Sequence, residues 1–129
     1  MFNPITIPFG SKMLFNVAKL KQGVTIDQVE LAVGEMCNVV KNKYGHNDGG
    51  FIAGQVFNYT GFISNEGSFD TAKPADPHVA IVTYWQSFEQ HENSHADTTF
   101  REKFKALSEL CEDTYELGYE MLWQGSPDE

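Results

Sequence analysis

The chain has 129 residues and a net charge of −9, with nine basic against 18 acidic side chains. That length predicts a single domain over residues 1–129 with an ordinary buried core. The acidic surface disfavours nucleic acids and anionic membranes, which attract basic faces. No run approaches the roughly 18 apolar residues of a transmembrane helix. Residues 1–10 show no signal peptide and the chain has two cysteines, so we expect a cytoplasmic protein.

Hydrophobic periodicity divides the chain into four strands and two helical regions. A capping box of Thr25 and Gln28 marks the start of the first helix, and a second box of Ser87 and Gln90 marks the other. Residues 1–10 are expected to form an extended arm and residues 125–129 a polar tail. Between them we expect a strand over 13–21, a helix from the first capping box to about 43, a strand over 51–63, a loop over 64–77, a strand over 78–85, a helical stretch to about 113 and a strand over 116–124.

The order β-α-β-β-α-β is that of the ferredoxin-like α+β fold, a four-stranded antiparallel sheet with two helices on one face. Both faces of the expected strands carry aromatic residues. An apolar sheet face of that size should be covered. A second copy of the chain is the simplest cover, so we expect a two-fold homodimer, a dimeric α+β barrel.

The second helical region presents two incompatible faces. Phe88, His91 and His95 share one face of a helix, and a different, apolar face carries Phe100, Phe104, Leu107 and Cys111. One straight helix on one sheet cannot bury both. Either the helix breaks near residues 97–99, or the histidine face meets a separate cavity or subunit. The weak helix formers Thr98 and Thr99 favour a break.

His91 and His95 are four residues apart, close enough on one helix face to bind one metal ion. Glu116 or Glu120 of the last strand could add a carboxylate. Because strand residues four apart lie on the same side, only one of the two can point at the pair. Two histidines and one carboxylate form the facial triad of non-haem iron oxygenases. The alternative is a pair of ordinary polar histidines with both glutamates facing solvent.

Two further features bear on chemistry. Cys37 lies on the apolar face of the first helix, either as a small buried hydrophobe or as a nucleophilic or sulfur-carrying thiol, which needs a lowered pKa and access. The two Trp, five Tyr and ten Phe residues separately predict an apolar small-molecule pocket between helices and sheet. Its expected walls are Trp85, Phe88 and Tyr119, with one of the two histidines as a polar anchor.

The run YWQSFEQHENSH at 84–95 resembles the metal-binding segment of the sulfur oxygenase reductases, with an aromatic–Trp pair, a second aromatic and His-Glu-x-x-His in register. The segment YELGYE at 115–120 is similar to that family's closing strand, and residues 33–40 resemble its sulfur-binding helix. The resemblance implies a dioxygen-dependent oxidoreductase whose iron is held by His91, His95 and Glu116, with Cys37 as the catalytic thiol that carries sulfur. That family's chain is far longer, and a second half is absent here.

The same segment is also similar to small dimeric α+β barrel proteins related to antibiotic-biosynthesis monooxygenases. In these, a Trp after the third strand precedes a helix with His-x-x-Ser-x-His, which His91, Ser94 and His95 approximate. Their histidines need not bind metal, and some members oxidise aromatic substrates without a cofactor. The sequence therefore predicts either an iron oxygenase acting on a small sulfur or hydrophobic substrate, or a metal-free barrel that binds or oxidises a hydrophobic ligand. An interaction module without a small-molecule site is the third alternative.

Overall fold

The computed structural model describes residues 2–62 and 76–128. Their elements, in chain order, are β1 (Lys12–Leu20), α1 (Ile26–Tyr44), β2 (Phe51–Asn58), β3 (His78–Trp85), α2 (Phe88–Ser94), α3 (Thr98–Ser108) and β4 (Cys111–Glu120). The strands pair antiparallel in the order β2-β3-β1-β4. The predicted ferredoxin-like fold is confirmed, with its second helix divided in two. Within these ranges, no helix has the length and apolar character needed to cross a membrane.

The main core lies between the sheet and the helices α1 and α3. The buried face of α1 follows helical spacing and consists of Val29, Val33, Met36 and Val40. At the start of α1, the side chain of Gln28 accepts a hydrogen bond of 2.8 Å from the backbone N–H of Thr25, as the capping box predicts. Leu107 of α3 is fully buried against this core. These helices leave the other face of the sheet without a helical cover.

The second helical region breaks between α2 and α3, which confirms the predicted interruption. His95 caps the end of α2, and the carboxylate of Asp97 caps α3 by accepting from the N–H of Phe100 at 2.9 Å. Lys43 of α1 holds the same carboxylate at 3.1 Å. Because of the break, α2 presents its histidines in one direction while α3 packs Leu107 into the core.

The boundaries of the last two elements differ from the prediction. The second helical region ends at Ser108 rather than near residue 113, and the last strand is Cys111–Glu120 rather than 116–124. Most side chains of β4 are exposed, so no alternating apolar pattern marks its first half. β4 ends at Glu120 because this residue pairs with Lys12, where its partner β1 begins.

The bounds of the first two strands differ less from the predicted ones. β1 begins and ends one residue earlier than predicted, and β2 ends at Asn58 rather than at residue 63. The register between β2 and β3 shifts between Phe51 and Ala53. Residue 63 and most of the predicted 64–77 loop lie outside the described residues.

The sheet face opposite the helices, here called the outer sheet face, is apolar. Strand pairing aligns its apolar side chains, which include Met13 and Phe15 of β1, Phe57 of β2, Tyr84 of β3, and Tyr115, Leu117 and Tyr119 of β4. Val17 of β1 and Val82 of β3 lie on the same face but are buried among their neighbours. The residues contributed by β2 and β4 are between 45% and 51% exposed. Within residues 2–62 and 76–128, this face thus presents a row of half-exposed apolar side chains, as the sequence predicted.

Candidate metal site

Helix α2 follows β3 after two residues and places both histidines on one side. The hydroxyl oxygen of Ser87 accepts a hydrogen bond of 3.1 Å from the N–H of Gln90 and so caps the helix. The ring centroids of His91 and His95 are 4.4 Å apart. The hydroxyl of Ser94 donates to the carbonyl oxygen of His91 at 2.6 Å. His91 is 3% exposed, whereas the His95 side chain is 38% exposed.

Glu116 reaches these histidines from the middle of β4. It pairs with Asn16 of β1, and Asn16 pairs with the core residue Ile81, so all three side chains point toward the helices. The side-chain amide of Asn16 donates to the carbonyl oxygen of Ile81 at 3.2 Å. Glu120 lies on the same side of the strand but contacts Lys12 at 3.4 Å. Of the two glutamates that the sequence left open, the structure brings Glu116 to the pair.

The carboxylate of Glu116 contacts both imidazoles. Its Oε2 is 3.1 Å from Nε2 of His91, and its Oε1 is 3.8 Å from Nε2 of His95. One potential ligand atom from each of the three residues lies within 4.8 Å of the other two. Two imidazole nitrogens and a carboxylate oxygen suit divalent zinc, copper and iron. The cluster can therefore hold one metal ion, and three donors leave further coordination positions open.

The environment favours the metal-binding protonation states of two of these residues. Burial raises the pKa of Glu116, but the hydrogen bond from His91 and the charges of both histidines outweigh it, so the pKa lies below its ordinary value. Burial lowers the pKa of His95, and repulsion from His91 lowers it further. At neutral pH, Glu116 is therefore a carboxylate and His95 a neutral imidazole, the forms that bind a metal ion.

His91 lies between two carboxylates. Its Nε2 faces Glu116 at 3.1 Å, and its Nδ1 lies 3.2 Å from Oε1 of Glu92. A neutral imidazole has one N–H and one lone pair, so it can donate to only one of these two acceptors. Both contacts are satisfied when a cation, either a second proton or a metal ion, lies between Nε2 and Glu116.

Aromatic rings surround the histidine pair. Trp85 is 1% exposed and meets His91 edge-on, with ring centroids 5.3 Å apart. The ring of His95 stacks on Phe100 at 5.3 Å with 4° between the planes. Phe104 extends this stack at 6.2 Å and is itself partly exposed. The buried side of the cluster is thus closed by Trp85, and the partly exposed side is bordered by Phe100 and Phe104.

Three residues at this site were not identified from the sequence. Glu92 is the glutamate of the His-Glu-x-x-His run, but the sequence assigned it no role, and its position directly after His91 is the signal that could have given it one. Asn16 and Phe100 reach the site through strand pairing and through the break between α2 and α3. No sequence motif encodes either contact.

The predicted pocket of Trp85, Phe88 and Tyr119 is not formed by these three residues together. A Cβ added to Gly118 would lie 3.0 Å from the ring of Phe88, so this position of β4 faces the helices. Because side chains alternate along a strand, Tyr119 points instead to the outer sheet face. Trp85 and Phe88 belong to one core cluster on the helix side.

Cys37 packs against the main core and is not part of the His–Glu cluster. Burial raises the pKa of its thiol to about 11. A nucleophilic or sulfur-carrying thiol requires a lowered pKa and access for its substrate. The geometry therefore favours the alternative, a small buried hydrophobe, and Cys37 has no role in the function proposed below.

Known structures match the chain, although no protein-family model and no curated protein matches its sequence. Hydroxynitrile lyase from Passiflora edulis superposes with a TM-score of 0.65 at 12% identity, covering 92% of this chain and 100% of the lyase. SnoaB, a cofactor-independent oxygenase from Streptomyces nogalater, superposes with a TM-score of 0.61 at 11% identity. The match covers 92% of this chain and 98% of the SnoaB chain.

A dimeric ferredoxin-like protein of unknown function from Thermobifida fusca gives a TM-score of 0.59 at 12% identity, covering 92% of this chain and 100% of its own. Such low identities show the fold alone. The chain is a ferredoxin-like α+β protein of the architecture shared by these structures.

Proposed function

We propose that the chain is a mononuclear non-haem iron protein that uses dioxygen to oxidise a small sulfur or hydrophobic substrate. The observation that carries this proposal is the His91, His95 and Glu116 cluster, whose ligand atoms lie within 4.8 Å of one another. This is the donor set of the facial triad of non-haem iron oxygenases. Bound ferrous iron would supply the redox chemistry with dioxygen. The resemblance to sulfur oxygenase reductases supports the iron and the sulfur substrate through the sequence motif.

The chain's own residues would bind the ion, exclude water from its buried side and leave an entry for substrate. His91 and His95 offer nitrogen ligands, and the carboxylate of Glu116 compensates part of the charge of the ion. Trp85 closes the buried side against water. The partly exposed ring of His95 marks the side from which a small molecule would enter, along the stacked ring of Phe100. An apolar substrate would gain contact area from that stack.

Metal analysis with a matched pair of histidine variants tests the iron site. Untagged protein purified under low oxygen should contain about one iron per chain, because the triad binds a single ion. The His91→Ala variant should contain none, since it loses the most buried ligand. The control is His46→Ala, because His46 is exposed in the loop after α1. Stoichiometric iron retained by His91→Ala, or wild type that takes up no ferrous iron on reconstitution, would contradict the proposal.

A second candidate is a metal-free protein that binds or oxidises a hydrophobic ligand. The 3.1 Å hydrogen bond between His91 and Glu116, beside the partly exposed His95, is an arrangement that can move a proton. The likeness to the cofactor-independent oxygenase SnoaB also favours it. In this reading Trp85 and Phe88 border the ligand, and a histidine anchors its polar group. Metal-free wild type that retains a hydrophobic compound through purification would support this candidate over the first.

We further propose that the outer sheet face binds a second copy of the chain. No helix of the described residues covers this apolar surface, and exposed surfaces of that kind mark interaction sites. The solved structures from Thermobifida fusca and Bacteroides fragilis that share the fold are both described as dimeric. Two outer sheet faces packed about a two-fold axis would form an α+β barrel with an apolar interior.

A charge placed on the outer sheet face should dissociate this dimer. In Leu117→Glu, each subunit would bury a new carboxylate next to its partner's, which costs several kcal/mol. We expect the dimer dissociation constant to rise by about 100-fold or more, since each 1.4 kcal/mol is tenfold. The matched control is Leu31→Glu, because Leu31 is exposed on α1. Analytical ultracentrifugation measures the dimer dissociation constants of both variants. If Leu117→Glu dimerises as tightly as Leu31→Glu, the proposed interface is refuted.

A further inference from the structure

The ring nitrogen of His91 that faces away from Glu116 contacts a carboxylate that is not one of the proposed metal ligands. Nδ1 of His91 lies 3.2 Å from Oε1 of Glu92, whose side chain is 69% exposed. The other nitrogen, Nε2, faces Glu116. The imidazole is thus held at both ends, by one carboxylate inside the cluster and by another at its rim.

Both carboxylates accept hydrogen bonds and cannot donate them, so without a bound ion each contact calls for an N–H on the ring. A metal ion at the cluster would take the lone pair of Nε2, and the contact with Glu92 would then be the one that calls for an N–H, at Nδ1. With the proton at Nδ1, the lone pair of a neutral imidazole is at Nε2. Nε2 of His91 is the nitrogen that faces the proposed metal position, together with Nε2 of His95 and the carboxylate oxygens of Glu116. The contact with Glu92 therefore favours the tautomer that can bind an ion at the cluster, whereas a direct hydrogen bond to Glu116 favours the other one.

We infer that Glu92 is a positioning residue for metal binding, whose carboxylate holds His91 in the Nδ1–H tautomer and fixes the orientation of its ring. The inference rests on the proposed metal site and deepens it. An outer carboxylate on a ligating histidine strengthens the ligand, and its loss lowers metal affinity about 10–100-fold. Because Glu92 is largely exposed, solvent screens its charge, and we expect the lower end of that range.

Cobalt(II) is a suitable probe because its binding can be followed in visible light and it shifts the NMR signals of its ligands. For the full chain, we expect Glu92→Ala to bind Co²⁺ about tenfold more weakly than wild type. Glu92→Gln keeps an acceptor oxygen and should recover most of the affinity. Glu89→Ala is the charge-matched control, because Glu89 is exposed on the same helix and belongs to no cluster. Its affinity should stay within about twofold of wild type.

A second readout separates positioning from simple loss of charge. The Nδ1–H protons of Co²⁺-bound histidines give exchangeable, strongly shifted signals, and the slower-exchanging one should belong to the buried His91. In Glu92→Ala this signal should broaden through faster exchange with water, while Glu92→Gln and Glu89→Ala keep it sharp.

The outcomes separate the two proposals. Unchanged Co²⁺ affinity and proton exchange in Glu92→Ala would overturn the role of Glu92 and leave the metal site standing. An equal loss of affinity in Glu89→Ala would also overturn it, because charge alone would then explain the effect. Wild type that binds one Co²⁺ with this dependence on Glu92, but whose iron form consumes no dioxygen, would support the positioning role and refute the oxygenase. Wild type that binds no Co²⁺ would refute both.

Discussion

Replacing Glu116 with alanine is expected to weaken divalent metal binding by about 100-fold or more, because one of three protein ligands is lost. The chain supplies its own control in Glu120→Ala. Both glutamates lie on β4, four residues apart and facing the helices, but Glu120 contacts Lys12 at 3.4 Å and no histidine. The control should change metal affinity by less than about twofold.

Isothermal titration calorimetry measures the Co²⁺ affinity of both variants, and circular dichroism confirms that both are folded. Equal losses in Glu116→Ala and Glu120→Ala would mean that the acidic edge attracts cations without a defined site. Wild-type affinity in Glu116→Ala would mean that the two histidines bind the ion without this carboxylate. Either result would contradict the proposed three-ligand cluster.

The largest expected effect on stability comes from Trp85. Its side chain is 1% exposed and packs edge-on against Phe51, with ring centroids 5.4 Å apart, as well as against His91. Its indole N–H donates to the hydroxyl of Thr83 at 2.9 Å. Trp85→Ala should therefore lower the free energy of unfolding by about 3–5 kcal/mol, through the cavity and the lost contacts.

Trp123→Ala is the matched control for this substitution. Trp123 is 81% exposed in the segment after β4, so its loss should change stability by no more than about 0.5 kcal/mol. Urea denaturation compares the variants at one protein concentration, because subunit association adds to apparent stability. A Trp85→Ala variant as stable as Trp123→Ala would contradict the packing described for the core beside the histidines.

Elements that bury one regular face could be predicted from the sequence. In α1 the apolar residues from Val29 to Val40 repeat at helical spacing, and the buried run of β3 was predicted with its observed bounds. β4 was displaced by several residues because its first half is acidic and mostly exposed. Its start is fixed by pairing with β1, a contact between segments about 90 residues apart in the chain that no local pattern reveals.

In the candidate metal site too, contacts between residues near in sequence could be predicted, whereas contacts that depend on strand register could not. Helical spacing sufficed to place His91 beside His95, but strand alternation put Glu116 and Glu120 on the same side of the last strand and could not choose between them. Choosing Glu116 required the register of β4 against Asn16. The same register sends Tyr119 to the opposite face, so aromatic residues that looked equivalent in sequence serve different surfaces.

The two edges of the sheet resist further strand addition by different means. β4 carries four acidic residues, Glu112, Asp113, Glu116 and Glu120, so two copies pairing along this edge would bring like charges together. β2 has no charged residue, but its register shift between Phe51 and Ala53 disturbs the regular edge that another strand would need. Extended cross-subunit sheets are thereby disfavoured at both ends of the described sheet. Growth into fibre-like assemblies is likewise disfavoured, while the outer sheet face remains available for a closed pair.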